Sequence, residues 1–314
     1  MNLTIALNAR DKKVLCLVGP TAVGKTEISL HLAEQLGGEI VSADSRQVYK
    51  YLNIGTAKPT AKELARVPHH FIDIREPDQY YSAGEYGREA RACIENLFAK
   101  EKTPIVVGGS GFYIQALVDG LFAPKISDPD VKEKWREYIR EKGNEVTFRF
   151  LSNIDPQTAA RLHPNDSQRI VRALEVWELS GKPISEFRAG DQKAADFAPV
   201  FIGLDRDRQA LYERIEKRVD IMIENGLVEE VKDLQKTGFG PHLNALRTVG
   251  YKEVFDYLAG EIDFDEMIDS IKRNTRRYAK RQLTWFRRDE RIQWILLDHK
   301  NKQETVENIL QKFS

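Results

Sequence analysis

The chain has 314 residues, 41% of them hydrophobic, and its 48 Lys and Arg balance 48 Asp and Glu. That length suits about two domains, and the neutral balance excludes a polyanion-binding surface spread over the whole protein, so any basic site must be local. The two cysteines, Cys16 and Cys93, lack metal-site spacing and read as buried thiols of a reducing compartment. No segment approaches a membrane span, and the apolar run in MNLTIALNARDKK is too short for a signal peptide. A cytoplasmic protein is expected.

Taken in chain order, the apolar run Val14–Val18 reads as a strand and leads into GPTAVGKT: Gly19, Pro20, Thr21, Ala22, Val23, Gly24, Lys25 and Thr26. The following EISLHLAEQLG has helical periodicity. Strand, glycine turn and helix give the G-x-x-x-x-G-K-[ST] pattern its physical meaning as a phosphate loop. Backbone N–H groups and the helix N-terminus face the phosphates, Lys25 adds a charge, and Thr26 offers a hydroxyl to Mg²⁺.

A second strand, EIVSA, ends at Asp44 on the same sheet edge as the loop. A carboxylate there suits Mg²⁺ binding or proton acceptance, or simply caps the next turn; position alone leaves both open. RQVYKYLNIGTAKP then reads as a functional loop, and Phe71–Ile74 (FIDI) as a short strand. Ser82 with Glu85 forms a capping box that opens the next helix. TPIVVGGSGFYIQAL repeats strand, glycine turn and helix, with no acid after the strand where an ordinary NTPase carries its Walker-B carboxylate. The alternation predicts an α/β fold: a P-loop-type, doubly wound, mostly parallel sheet.

From about Gly120 the signals become helical without intervening strands, through DPDVKEKWREYIREKG, DPQTAARL and NDSQRIVRALEVWELSG. Lys182–Pro199 is polar and less patterned. Residues 120–198 therefore read as a mostly helical insertion in a core made of 1–119 and 199–314. Val200–Leu204 returns to a strand pattern, long helices follow, and IQWILLD is one more strand before a short last helix. Placed on a helix, residues 267–291 carry Met267, Ile268, Ile271, Tyr278, Ala279, Trp285 and Phe286 on one flank, with Leu283 off that face. Nine cations, from Lys272 and Arg273 through Arg276, Arg277, Lys280 and Arg281 to Arg287, Arg288 and Arg291, fill the other, and from Lys272 on the only acids are Asp289 and Glu290. A solvated face is the ordinary reading; such density in a neutral chain favours phosphate contacts with a nucleic acid.

GPTAVGKT, ADSRQVYKYLNIGTAKP, PHHFIDI, VVGGSGFY, HPNDSQRIVRALEV, LRTVGYKE and AKRQLTWFRR, in this order along nearly the whole chain, resemble the bacterial tRNA dimethylallyltransferases. The resemblance implies transfer of a dimethylallyl group from dimethylallyl diphosphate to N6 of adenosine-37, beside the tRNA anticodon. It implies a P-loop core with a helical insertion and Mg²⁺ as cofactor, and a monomer is expected. The loop would hold the departing diphosphate with Lys25, Thr26 and an arginine of LYERIEKRVD, Arg218 or its neighbour Arg214. Asp44, with Thr26 a Mg²⁺ ligand, would also be the general base, acting on a flipped adenine.

The resemblance further implies tRNA contacts from Ser45, Arg46, Gln47 and Ser110, the last also a catalytic-site residue, from Gln168, Arg169, Ile170, Val171 and Arg172, and from Arg247 to Tyr251; Arg277 and Arg281 of the basic stretch are expected to join them. Departures are mild: Val23, Ser110 and Ser167 stand where the family commonly has Ser, Thr and Pro, and the cysteines are too few for a zinc-finger extension. A transferase for free adenine nucleotides, an ATP-dependent nucleoside kinase and a nucleotide-gated RNA-binding protein are the competing readings.

Overall fold

A computed structural model describes residues 12–121, 126–189, 193–297 and 302–314, so most of the N-terminal stretch read above, and Asp298, lie outside it. Six strands form one sheet: β1 (Lys13–Val18), β2 (Glu39–Ser42), β3 (His69–His70), β4 (Pro104–Gly108), β5 (Ala198–Asp205) and β6 (Gln293–Leu296). Their order is β3-β2-β4-β1-β5-β6, and every pairing is parallel. Parallel strands are covered on both faces and so need continuous apolar runs; Val14 to Val18 are accordingly fully buried. β1 lies between β4 and β5, where the winding changes direction. Ligands in such sheets gather at the carboxyl ends of the strands beside that point.

The FIDI strand is displaced. Pairing with β2 ends at His70, because Phe71 and Asp73 take φ of 65° and 54°, which side chains adopt rarely and a strand cannot continue through. The Ser82–Glu85 capping box is present at the start of helix Ala83–Ala99. Cys16 is buried, and burial pushes its thiol up to about 12; Cys93 is only partly buried, which corrects the expectation for it.

The chain divides into two compact units, Met1–Asp119 with Ala194–Ser314, and Gly120–Lys193. The smaller unit contains helices Pro129–Lys142, Asn144–Ile154, Pro156–Ala159 and Ser167–Ser180. Its core gathers Trp135, Leu151, Ile170, Val171 and Leu174. Two buried carboxylates organise its backbone. Glu175, fully buried, accepts from Asp128 N–H at 2.8 Å and from Arg172 Nη1 at 2.6 Å. Asp155, 1% exposed, accepts from the N–H groups of Thr158 at 2.9 Å and Ser185 at 3.0 Å.

Burial acts to raise the Asp155 pKa, but the hydrogen bonds from Thr158 and Ser185 outweigh it and hold the carboxyl below its ordinary range. A depressed folded pKa contributes stability above the unfolded value, about 3.9, and loses it as pH falls through the folded value. Asp155→Ala removes a cap and leaves a buried amide without its acceptor, and is expected to cost about 1–3 kcal/mol at pH 7. Urea unfolding at pH 7 and again below pH ~3 checks this: the gap between wild type and variant should narrow in acid.

Candidate functional site

Four carboxyl-end segments build the site. After β1, Gly19 has φ 148° and Ala22 φ 63°, so the phosphate loop is held in a conformation that costs a non-glycine residue energy. Arg214, from helix Arg208–Glu224, donates Nε–H to the Ala22 carbonyl at 2.9 Å. The helix that follows, Lys25–Leu36, has no side-chain cap. Its first-turn N–H groups have no intrahelical acceptors and present an anion-binding end.

Lys25 Nζ donates to the carbonyls of Gly19 at 2.9 Å and Pro20 at 2.8 Å. Burial, then repulsion from Arg218, pushes its pKa down to about 7, and Asp44 opposes the shift. Lys25 thus senses both the arginine on one side and the carboxylate on the other. Arg218 is half-buried, with its pKa lowered by burial and by Arg214. Among the described residues it has no acidic partner, whereas Arg214 is committed to the loop backbone. The two arginines, Lys217 and Lys58 line a cavity of about 760 Å³ that reaches Ala22 of the loop. Lys58 is already paired with Asp73. Arg218 is thus a half-buried cation on this cavity with no acidic partner among the described residues.

After β2, the carboxylate of Asp44 is half-buried. Its Oδ1 accepts from the N–H groups of Arg46 at 2.8 Å and Gln47 at 3.3 Å. The capping reading of Asp44 is therefore observed at Oδ1, while Oδ2 has no donor among the described residues. After β4, Ser110 Oγ accepts from Ser45 N–H at 3.0 Å. A Cβ on Gly108 would lie 2.1 Å from the Ala43 carbonyl oxygen, so this glycine is what lets the β2 and β4 ends come together.

The loop after Asp44 is braced rather than loose. Gln47 Nε2 donates to the carbonyls of Thr56 and Ala57, both at 3.2 Å. Glu230 accepts from the N–H groups of Asn53, Ile54 and Gly55, and from Tyr251 Oη–H at 2.6 Å. Tyr251 is fully buried in this clamp, which corrects its assignment to an RNA-facing segment. Arg46 donates to the carbonyl of Asn244 at 2.7 Å, and Arg247 stays exposed.

The basic helix runs Phe264–Phe286 and no further, so Arg288 and Arg291 do not belong to its face. Met267, Ile271, Ala279 and Phe286 are buried as expected, but Trp285 is 37% exposed. Four of the nine cations are matched by acids distant in sequence: Lys272 by Asp220, Arg276 by Glu216, Arg287 by Asp205 and Arg291 by Asp119. Arg277, Lys280 and Arg281 are exposed and have no acidic partner among the described residues. The candidate RNA face is narrower than the charge run.

In the smaller unit, Gln168 and Arg169 are exposed, while Ile170 and Val171 lie in the core. Those two side chains are withdrawn from any ligand, and Arg172 is held by Glu175 and the Ile126 carbonyl.

For Mg²⁺, Thr26 and Asp44 supply a hydroxyl and a carboxylate, the hard oxygens that ion prefers, in the small number it takes from protein when phosphates complete its shell. The donor set fits.

Sequence reasoning missed Glu230 and Gln282. Gln282 sits on the buried flank of the basic helix, and a lone amide on an apolar flank was the available signal; nothing local marks Glu230. Among the described residues no helix is long and apolar enough to cross a membrane.

Residues 47–289 match the model of the IPP transferase family. A tRNA dimethylallyltransferase of Alkaliphilus oremlandii is 47% identical over 304 residues, covering 96% of this chain and 97% of its own length. Another, from Geotalea uraniireducens, is 48% identical over 291 residues, covering 92% and 94%. The crystal structure of the full-length tRNA isopentenylpyrophosphate transferase of Bacillus halodurans is similar at TM-score 0.71 and 40% identity, over 96% of this chain and 97% of that one. A eukaryotic dimethylallyltransferase captured acting on tRNA is similar at TM-score 0.80 and 31% identity, over 96% of this chain and 77% of that one. With an all-parallel sheet whose carboxyl edge carries a phosphate loop and a carboxylate, the chain belongs to the tRNA dimethylallyltransferase family, a family of prenyltransferases.

Proposed function

We propose that this protein transfers the dimethylallyl group of dimethylallyl diphosphate to N6 of adenosine-37 in the tRNA anticodon stem-loop, releasing diphosphate. The observation that carries the reading is the placement of the Asp44 carboxylate within electrostatic reach of Lys25 at the phosphate loop. A proton acceptor and an anion cradle on one sheet edge are what this displacement needs.

The bond between the allylic carbon and the diphosphate oxygen breaks with its electron pair going to the diphosphate. Lys25, Arg218 and the first-turn N–H groups of Lys25–Leu36 face that growing negative charge. Thr26 and Asp44 would hold Mg²⁺, which when bound neutralises further charge on the leaving group. The N6 lone pair forms the new C–N bond, and the N6 proton passes to Asp44 Oδ2. N6 is a weak nucleophile because its lone pair is delocalised into the ring, so removing this proton as the bond forms contributes ~10²–10⁴-fold.

Reaching a half-buried carboxylate requires the adenine to leave its stack. Ser45, Gln47 and Ser110 line the approach to Asp44. Arg277 and Arg281 contact phosphates and position the RNA without reading its sequence. Gln168 and Arg169 supply contacts from the smaller unit, and Arg247 supplies one from the core.

Incubation with Mg²⁺, dimethylallyl diphosphate and either unmodified tRNA or AMP, followed by nucleoside mass analysis, tests the assignment. Dimethylallyl-adenosine in the tRNA alone is expected. Product from AMP instead would reassign the acceptor, and no product from either would overturn the reading. Asp44→Asn keeps the Oδ1 cap and should lower kcat by ~10²–10⁴-fold while diphosphate affinity measured without Mg²⁺ stays within about threefold; an unchanged kcat removes the general-base role. Arg277→Glu with Arg281→Glu should raise the KM for tRNA at least about tenfold and flatten its dependence on salt concentration. An unaltered KM would return that face to solvent.

A further inference from the structure

The basic helix has a second polar function, on its buried side. Gln282 is 6% exposed, and its amide joins two segments distant in sequence. Oε1 accepts from the Thr21 N–H of the phosphate loop at 2.8 Å, and Nε2 donates to the Gly109 carbonyl after β4 at 3.0 Å. The fit on the β4 side is tight: a Cβ on Gly109 would lie 2.1 Å from Nε2. One turn earlier on the same flank, Tyr278 lies beside Ser110, whose hydroxyl accepts from Ser45 N–H next to Asp44. Residues i and i+4 share a helix face, so a single rigid element touches both the loop that takes the diphosphate and the turn that carries the base.

Only a side chain with both a donor and an acceptor completes the Gln282 bridge. Thr21 N–H is consumed by it, which removes one loop amide from the phosphate-facing set and fixes the plane of the rest.

We infer that Gln282 is a positioning residue for the diphosphate loop, setting its distance from Asp44 through the helix whose exposed flank carries Arg277 and Arg281. The inference rests on the transferase reading for its kinetic consequence but not for the loop geometry, so the two can fail separately.

Gln282→Met keeps length and apolar packing and removes both hydrogen bonds. Gly109→Ala displaces the same amide from the opposite side without altering Gln282. Each variant is expected to raise the KM for dimethylallyl diphosphate about five- to twentyfold and lower kcat, with the KM for tRNA within twofold and the thermal midpoint near that of wild type. Gln282→Glu restores the acceptor for Thr21 only, so it should not recover kcat. Affinity for Mg²⁺-pyrophosphate, read by calorimetry, should fall in parallel, and it reports on the loop even if wild type proves inactive in transfer. Unchanged affinity for both diphosphates in the two variants would overturn the inference, as would equal losses for both substrates that track a lowered thermal midpoint. Should Gln282→Met fail to fold, Gly109→Ala decides alone by the same readings.

Discussion

The close approach of the β2 and β4 carboxyl ends is the constraint on which the site depends. Gly108 has no side chain to hold the Ala43 carbonyl away, so Ser110 reaches Ser45 and the turn carrying Asp44 is fixed from the β4 side. The phosphate loop after β1 is the next strand end along the same edge. With these ends in register, the basic helix meets two of their backbones, after β1 and after β4, through the single amide of Gln282. A methyl group at Gly108 would push the Ala43 carbonyl, and with it the turn that carries Asp44, away from Ser110.

Electrostatically, the neutral chain is partitioned rather than neutral in detail. Most cations of the 272–291 stretch that pack against the core meet Asp or Glu from other elements. Of the nine cations in that stretch, Arg273, Arg277, Lys280, Arg281 and Arg288 meet no acid among the described residues, and at the cavity Arg218 meets none. Exposed ion pairs contribute little to stability; here they leave the positive potential of the stretch to its unmatched cations.

The fold and much of the site were legible in the sequence wherever the signal is local. The phosphate loop, the capping box of Ser82 and Glu85, and the long apolar β1 depend on neighbours in the chain. Phe71–Ile74 misleads because its alternation is genuine while its backbone turns left-handed at two residues. The basic stretch misleads because a helical projection continues past Phe286, where the helix stops. Ile170 and Val171 carry an apolar periodicity that marks them as core, and the family resemblance obscured it. Glu230 lies beyond local reading, since the loop it holds is more than 170 residues away; Gln282 offered only the signal of a lone amide, its partner in the phosphate loop standing 261 residues away.

The Glu230 clamp grips the loop at Asn53, Ile54 and Gly55 only through main-chain N–H groups. Such a grip is blind to the side chains it passes. Ile54 can therefore change to any residue but proline without releasing the clamp, whereas Asn53 also accepts from Lys58 Nζ through Oδ1 at 2.9 Å, and Gly55 has the Tyr251 ring against it. The same economy makes the loop non-portable: grafted into a relative that lacks a carboxylate at the Glu230 position, an identical NIGTAK segment would arrive without the anchor that gives it its shape.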